Sequence, residues 1–201
     1  MSPRKHSEKR VAILNAATAA FCELGYESAS MDRIAEVASV SKRTVYNHYA
    51  SKEILFRAVV SGLIEETHAL KQIPWNPDRE LAVQLREFAE AKVRVAADSS
   101  LAALLRVVIG VLVRQPELAQ EVMSRAKEGD DALAVWLRAA DQAGRMDVPK
   151  PAAAADLFWS MILGAIYWPT LLGAAPSATE RRLVIDEIVE TFLARFRRDG
   201  D

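Results

Sequence analysis

The residues best suited to chemistry lie on one face of a short helix predicted over Lys42–Tyr49. At helical spacing Val45 and Tyr49 fall on one side of this helix and can pack against a core. The other side carries two cations, a phenol and an amide, contributed by Lys42, Arg43, Tyr46 and Asn47. Such side chains can contact base edges and phosphates, and an α-helix fits the DNA major groove. The pattern therefore predicts a helix that reads DNA.

The neighbouring segments complete a helix-turn-helix. A preceding helix is predicted over Met31–Ala38, and its apolar face consists of Ile34, Ala35 and Ala38. Val40 supplies an apolar side chain in the turn. Ser41 can cap the second helix, because its hydroxyl can accept a hydrogen bond from a free amide in the first turn. Ser51 can cap the helix that follows.

Composition limits the class of protein. The chain has 201 residues, of which 51% are hydrophobic and 26% charged, and this balance indicates a globular protein. Charges interrupt every apolar run before the roughly 18 residues of a membrane span, and the N-terminus lacks a signal-peptide core. The single cysteine, Cys22, excludes an internal disulfide and suits a reducing cytosol. We therefore expect a cytoplasmic protein without a membrane partner.

Catalytic and metal-binding patterns are missing from the sequence. The histidines His6, His48 and His68 are scattered without metal-ligand spacing. Neither a nucleophile elbow nor a phosphate-binding glycine loop occurs. We expect no cofactor, and an enzyme is the weaker rival interpretation.

Charge is distributed unevenly along the chain. The net charge is −1, but residues 1–52 carry eight Lys and Arg against five Asp and Glu, a net of +3 that leaves −4 for the remainder. Phosphate attraction acts within about one Debye length, so the local surplus matters more than the total. The asymmetry gives mild support to DNA binding by the N-terminal part.

The predicted fold class is all-α, because apolar spacing is helical nearly throughout and nothing reads as a strand. Gly25 is expected to end the first helix in a left-handed conformation. Besides the two motif helices, the predicted helices cover residues 8–24, 51–70, 78–97, 100–113, 116–127, 130–143, 152–172 and 179–198. The sequence leaves open whether Gly129 breaks a helix.

Read as one block, residues 13–56 resemble the DNA-binding region of the TetR family of bacterial transcriptional regulators. The matching positions are Phe21, Gly25-Tyr26, Ile34-Ala35, Val40-Ser41, Thr44, Tyr46, His48-Tyr49 and Lys52. The resemblance implies a three-helix DNA-binding head, residues 1–50, followed by a helical effector-binding and dimerisation body, residues 51–201. It further implies a ligand-responsive repressor that binds a palindromic operator as a homodimer and is released by a small apolar effector.

One position departs from the family pattern. Ser39 stands in the turn where the family commonly has glycine. If this residue is left-handed, a side chain there costs about 1 kcal/mol. A helical interaction protein that has lost DNA binding is therefore one alternative, and a transcriptional activator is another.

The resemblance assigns a set of residues to DNA contact: Ser30, Arg33, Lys42, Arg43, Thr44, Tyr46, Asn47, His48 and Lys52. Arg43 is suited to a two-pronged guanine contact, and Asn47 to adenine. Lys52 is expected to bind a phosphate, together with free amides at the start of its helix. His48 is equally suited to packing against Val45. A flexible basic arm is expected from Arg4, Lys5 and Lys9.

The resemblance also implies that the last two helices pack against a second copy of the chain. The candidate dimer residues are Leu157, Met161, Gly164, Trp168, Val184, Ile188, Thr191 and Arg195. Ordinary packing within one chain is the alternative for this face.

A cavity between the middle helices would accept a small apolar or aromatic effector. Its candidate lining residues are Phe88, Leu105, Arg106, Met123, Trp136 and Trp159, with Arg106 or His68 at a polar end. Each of these side chains is also suited to a plain hydrophobic core. The identity of the effector is not contained in the sequence.

Overall fold

The computed structural model describes residues 3–69, 73–126 and 132–198 and confirms the all-α class. Within these residues no β-strand occurs, and an isolated bridge joins Met146 to Arg197. The α-helices are α1 (Pro3–Ser28), α2 (Met31–Val37), α3 (Lys42–His48), α4 (Lys52–Ala69), α5 (Leu81–Ala97), α6 (Ser99–Arg114), α7 (Pro116–Ala126), α8 (Ala132–Gln142), α9 (Pro151–Ile162), α10 (Trp168–Leu171) and α11 (Ala178–Phe196).

Two compact units make up the described residues. The first unit contains the chain up to Glu66 together with Ala103–Met123. The second contains Thr67–Ala102 and the chain from Ser124 onward. α4, α6 and α7 each contribute residues to both units.

Most predicted helix ends agree with the structure. Beyond α1, the predicted ends that fall on described residues lie within three residues of the observed ends. The largest of these differences is the start of α5, at Leu81 rather than residue 78. Gly129, whose effect the sequence leaves open, lies outside the described residues, as do Leu70 and the side chain of His68.

α1 extends further at both ends than the sequence predicts. It begins at Pro3, so the segment expected to form a flexible basic arm is helical. Gly25 leaves the helical conformation with φ 76° and ψ 164°, and the chain is helical again from Tyr26 to Ser28. The positive φ predicted for Gly25 is confirmed, although its ψ lies outside the left-handed helical region. Only glycine adopts this conformation readily.

Serine side chains cap the helices of the DNA-binding motif. The cap hydrogen bonds, with N···Oγ distances of 3.2, 3.1 and 3.2 Å, run from Arg33 N to Ser30, from Thr44 N to Ser41 and from Ile54 N to Ser51. The first amides of a helix have no acceptor within the helix, so each serine satisfies one of them. The caps predicted at Ser41 and Ser51 are confirmed, and Ser30 is a further one.

The turn between α2 and α3 ends α2 through a left-handed residue. Ser39 has φ 52°. Its amide donates to Glu36 O at 3.0 Å, and the amide of Val40 donates to Ala35 O at 3.0 Å. This hydrogen-bond pair is a Schellman motif, which normally has glycine at the left-handed position. The strain predicted for Ser39 therefore has a structural basis.

A small apolar core fixes α2 and α3. Fully buried side chains of these helices include Phe21 of α1, Ile34 of α2, Val45 of α3 and Phe56 of α4. The rings of Phe21 and Phe56 lie 5.6 Å apart, edge to face. α2 and α3 have seven residues each, too few for a stable isolated helix. Their orientation therefore depends on this packing.

In the second unit, α5, α8, α9 and α11 surround a larger core. Gln84 is fully buried there, and all its hydrogen-bonding positions are used. Its Oε1 accepts from the Asn76 amide at 3.0 Å and from Trp136 Nε1 at 3.1 Å. Its Nε2 donates to Asn76 O at 2.9 Å and to Arg79 O at 3.1 Å. Gln84 thus ties the segment before α5 to the core without an unpaired polar atom.

The helix predicted over residues 152–172 is present, but its second half contains a π-helical turn. A π-helical turn, Leu163–Tyr167, connects α9 to α10, and the amide of Trp168 donates to Leu163 O. Pro169 follows directly. In a regular α-helix its ring would crowd the carbonyl four residues earlier, and the wider turn relieves that crowding.

In the described part of the chain, no single helix is long and apolar enough to cross a membrane. α5 and α6 taken together are long and apolar enough, by length and composition only. The pair is bent by 79° at the break between the two helices.

Ser39→Gly is expected to raise the free energy of unfolding by about 0.5–1 kcal/mol, because glycine removes the cost of a left-handed serine. Urea unfolding followed by circular dichroism measures this change. The control is Gly25→Ala, which should lower stability by more than about 1 kcal/mol. No atom lies within 4 Å of the added Cβ at Gly25, so that loss would come from backbone conformation. If both variants change the free energy of unfolding in the same direction, the inference that Ser39 is strained is contradicted.

Candidate nucleic-acid interface

The exposure of α3 follows the predicted division into two faces. Val45 is fully buried and Tyr49 is 6% exposed, whereas Tyr46 is 43% exposed. The other exposed polar residues of this helix are Lys42, Arg43 and Asn47. The core therefore holds one side of α3 and leaves two cations, a phenol and an amide in solvent.

Lys42 is paired with an acid on α2. Its Nζ lies 2.8 Å from Oδ1 and 2.9 Å from Oδ2 of Asp32. The hydrogen bond and the charge of Asp32 raise the pKa of Lys42. Both side chains are more than 60% exposed, and an exposed pair of this kind contributes little to stability. A phosphate can therefore replace the carboxylate at small cost.

The remaining cations of the motif differ in their partners. Arg33 Nη1 lies 2.8 Å from Glu36 Oε2, and this hydrogen bond raises the pKa of Arg33. The Arg43 guanidinium forms no hydrogen bond or ion pair within the described residues. Arg43 is thus available to a base or phosphate without breaking an existing contact.

Other residues assigned to DNA have partners inside the head. Thr44 Oγ1 lies 2.8 Å from Ser41 Oγ, and Ser30 Oγ is occupied by its cap hydrogen bond. His48 is half-buried, with its ring 6.3 Å from that of Tyr49. These contacts orient the ends of α2 and α3 whether or not the same side chains also touch DNA.

Lys52 is engaged in a way that the sequence does not reveal. Its ammonium donates to the main-chain oxygens of Tyr26 at 2.8 Å and Glu27 at 2.9 Å. It also lies 4.7 Å from the centre of the Tyr26 ring. Two of the three donors of the ammonium are thus used within the protein, and the phosphate contact of Lys52 stays a prediction.

Arg10 is a further residue that sequence reasoning missed. Its Nε donates to the Tyr49 hydroxyl at 3.4 Å and so links α1 to the end of α3. The two residues are 39 positions apart, and no spacing pattern pairs them. The only signal in the sequence is the basic character of the N-terminus.

The candidate dimer residues lie on α9, the π-helical turn, α10 and α11. Leu157, Gly164, Trp168, Thr191 and Arg195 are exposed, Met161 and Val184 are half-buried, and Ile188 is 8% exposed. A shallow groove of about 250 Å³ is lined by Met161, Leu183, Val184, Glu187, Ile188 and Thr191. Leu183, which lines this groove, is 60% exposed and is not among the candidate dimer residues predicted from the sequence.

The structure does not bring the candidate effector residues together in one unit. Phe88, Trp136 and Trp159 belong to the second unit, where the Phe88 ring lies 6.0 Å from Trp136 and 6.3 Å from Trp159. The candidates in the first unit are Leu105, Arg106 and Met123. Phe88 and Trp136 are buried, and Met123 is 57% exposed. His68, the other candidate for a polar end, has no described side chain.

Groups that could hold a metal ion are not found among the described residues, where no three His, Cys, Asp or Glu side chains cluster. Burial raises the pKa of the Cys22 thiol, which disfavours the reactive thiolate.

Family profiles match both parts of the chain. Residues 13–59 match "Bacterial regulatory proteins, tetR family", and residues 83–198, more than half of the chain, match "AefR-like transcriptional repressor, C-terminal domain". The chain belongs to the TetR family. This TetR-family protein is thus a transcriptional regulator with a DNA-binding helix-turn-helix, and its relatives point away from an enzyme.

Solved structures resemble the regulator over nearly its whole length. A TetR-family transcriptional regulator from Pseudomonas syringae pv. tomato str. DC3000 is 33% identical, with a TM-score of 0.77, and the match covers 98% of this chain and 99% of that one. The Flavonoid-responsive Regulator FrrA is 26% identical with a TM-score of 0.79, over 96% of this chain and 100% of that one.

Curated relatives match over shorter stretches. RutR of Escherichia coli O157:H7 is 28% identical over 138 residues, which are 67% of this chain and 65% of that protein. YhgD of Bacillus subtilis (strain 168) is 37% identical over 59 residues, 29% of this chain and 31% of that protein. The chain thus spans between about a third and two thirds of the length of these relatives.

Asp32→Asn is expected to tighten binding to a random-sequence duplex about 3- to 10-fold, because it removes a negative charge and frees Lys42 for phosphate. Fluorescence anisotropy at fixed low salt measures the affinity. The control is Glu190→Gln, which removes an exposed carboxylate from α11 and should leave the affinity unchanged. If Asp32→Asn and the control bind alike, the Asp32–Lys42 pair does not restrain DNA binding.

Proposed function

We propose that this TetR-family regulator is a homodimeric repressor that binds a palindromic operator and is released by a small apolar or aromatic effector. Residues 1–50 would form the DNA-binding head, and residues 51–201 the body that binds the effector and the second copy. The observation that carries the proposal is the face of α3: an exposed row of polar residues fixed by the buried Val45 and Tyr49.

Arg43 is the residue best placed to read a base. It is exposed on α3, and its guanidinium has no partner among the described residues. A planar guanidinium can contact both acceptors of a guanine edge, and Asn47, one turn further along, can do the same for adenine. Lys42, Tyr46, Thr44 and Arg33 would then supply phosphate contacts that set the register.

Dimerisation is supported by apolar side chains exposed on the last helices. Leu157, Trp168 and Leu183 are 49%, 41% and 60% exposed. Large apolar side chains exposed together are typical of an interaction surface. A two-fold dimer would place two copies of α3 in successive major grooves on one side of a palindromic site.

The support for repression and for release by an effector comes from the descriptions of related proteins. The profile matched by residues 83–198 is described as a transcriptional repressor, and FrrA is named as flavonoid-responsive. An aromatic effector also suits the rings of Phe88, Trp136 and Trp159, and Leu105, Arg106 and Met123 are the further candidates. Weakening operator binding 10-fold requires only about 1.4 kcal/mol of coupling between effector and DNA. Such a regulator would work in the cytoplasm, at the nucleoid.

Arg43→Ala is expected to weaken operator binding by about 5- to 150-fold and to leave a random duplex nearly unaffected, because a base contact is worth roughly 1–3 kcal/mol. The operator comes from a genome-wide footprint of the wild-type protein, and anisotropy titrations compare the two duplexes. An equal loss of affinity for both duplexes would indicate that Arg43 contacts a phosphate rather than a base.

The same footprint tests the mode of regulation. Transcripts at bound promoters should rise when the gene is deleted. A fall would indicate an activator, and the lack of any salt-sensitive promoter binding would indicate an interaction protein that has lost DNA binding.

Leu183→Glu is expected to weaken dimerisation at least about 10-fold, because it places a charge on an apolar face, beside Glu187 in the same groove. Sedimentation equilibrium measures the dimer dissociation constant. Val113→Glu is the matched control, since Val113 is 77% exposed on α6 and lies outside that groove. A Leu183 variant that dimerises like the control would exclude this face as the interface.

A further inference from the structure

A groove between α5 and α11, within the second unit, is lined by an excess of cations. It has a volume of about 390 Å³, which is in the range of small-molecule sites. Its described lining residues are Glu90, Val93, Arg94 and Ala97 of α5, and Ala178, Arg181, Arg182 and Ile185 of α11. Three arginines thus stand against one acid, a net charge of +2 (3 − 1). The chain after residue 52 has a net charge of −4, so this positive charge is a local feature.

The arginines of the groove lack acidic partners in the described part of the chain. The guanidiniums of Arg94, Arg181 and Arg182 form no hydrogen bond or ion pair with another described residue. By contrast, Arg79 Nη2 lies 2.5 Å from Glu87 Oε1 on the same helix region. Cations collected on one concave wall repel one another and attract an anion from solution. The groove therefore offers an anion three guanidiniums without requiring an ion pair to break.

The charge is concentrated at one end of the groove. Beyond Glu90 and Arg182 the groove continues into a recess of about 350 Å³, which Arg86 and Asp186 also line. Arg86 Nε lies 2.5 Å from Asp186 Oδ1, so these two charges compensate each other. An anion would consequently be attracted to the opposite end, where the unpaired arginines lie.

The groove also has an apolar floor. Val93 of α5 and Ile185 of α11 line it and are each 4% exposed. A guanidinium can donate two parallel hydrogen bonds to a carboxylate or a phosphate, and an aliphatic floor accepts a carbon skeleton. Ser177 and Glu180 already form a capping box at the start of α11, and the attraction for an anion comes from the arginine side chains.

We propose that this groove binds a small organic anion with a doubly charged head group, either a phosphate monoester or a dicarboxylate. The two negative charges compensate the net +2 of the lining. The head group lies among Arg94, Arg181 and Arg182, and the carbon skeleton lies on Val93 and Ile185. Such a ligand contacts both α5 and α11 and therefore stabilises their packing.

This site is separate from the surfaces used by the proposed function. Its lining residues include none of the candidate effector residues, and it shares no residue with the apolar groove that contains Leu183. Anion binding here depends on neither operator binding, nor dimerisation, nor the apolar effector. A failure of the proposed function and a failure of this site would thus be observed in different experiments.

Isothermal titration calorimetry of the full-length protein with phenyl phosphate at pH 8, where a phosphate monoester is doubly charged, tests the site. Arg182 lines both parts of the groove, and Arg182→Gln is expected to weaken binding at least about 10-fold through the loss of charge-assisted hydrogen bonds. Glu90→Gln should tighten binding about 3- to 10-fold, because it removes a repelling carboxylate. Arg114→Gln is the matched control, since it removes an exposed guanidinium at the end of α6 and should bind like the wild type.

Further probes separate the contributions of charge and carbon skeleton. Phthalate carries two carboxylates in place of the phosphate, and the tighter of these two probes identifies the head group. Inorganic phosphate lacks the skeleton and benzyl alcohol lacks the charge, so both should bind at least about 10-fold more weakly than phenyl phosphate. Equal affinity for inorganic phosphate would mean an adventitious ion only, and equal affinity for benzyl alcohol would mean a merely apolar site. Either result would overturn the inference.

A measurement on the wild type covers the case in which a variant does not fold. The Nε–Hε resonances of Arg94, Arg181 and Arg182 are expected to shift in a saturable way when phenyl phosphate is added, while that of Arg114 stays in place. Unchanged resonances of the three groove arginines would overturn the inference. An affinity of Arg182→Gln equal to that of Arg114→Gln would do the same.

Discussion

The orientation of α3 depends on the burial of one side of a seven-residue helix. A helix of this length is not stable by itself in water, so its side chains point in a defined direction only because Val45 and Tyr49 are held in the head core. Ser41 fixes where the helix starts, and Ser39 sets the angle of the preceding turn. The solvent-exposed row of polar residues is therefore a consequence of apolar packing on the opposite side.

The cations of the head have different partners, and the partner determines how easily each cation can bind DNA. Lys42 and Arg33 form exposed pairs with acids, which a phosphate can replace at little cost. Lys52 donates to the main-chain oxygens of Tyr26 and Glu27 rather than to a carboxylate. Arg43 has no partner in the described residues. The modest positive charge of residues 1–52 thus conceals side chains that differ in their availability to DNA.

The second unit has a packed interior and carries exposed apolar side chains outside it. Gln84 and the rings of Trp136 and Phe88 are buried, and the side-chain amide of Gln84 is fully hydrogen-bonded. Such a centre favours one defined packing of α5 and α8. Outside it, Leu183 and Trp168 remain exposed, as on proteins that associate through an apolar face. The interior fixes the fold, and the exposed apolar side chains support the proposed dimer face.

The sequence by itself determined the helical class, the caps at Ser41 and Ser51, the strain at Ser39 and the exposed face of α3. Each of these depends on periodicity or on contacts within a few residues. Tertiary structure alone decided the partners of Lys52 and Arg10, which lie 25 to 39 positions away, and the division of the effector candidates between two units. The π-helical turn before Pro169 likewise escaped the pattern, because a helical period cannot show one inserted residue. Local chemistry fixes dihedral angles and caps, whereas distant partners are fixed only when the helices pack.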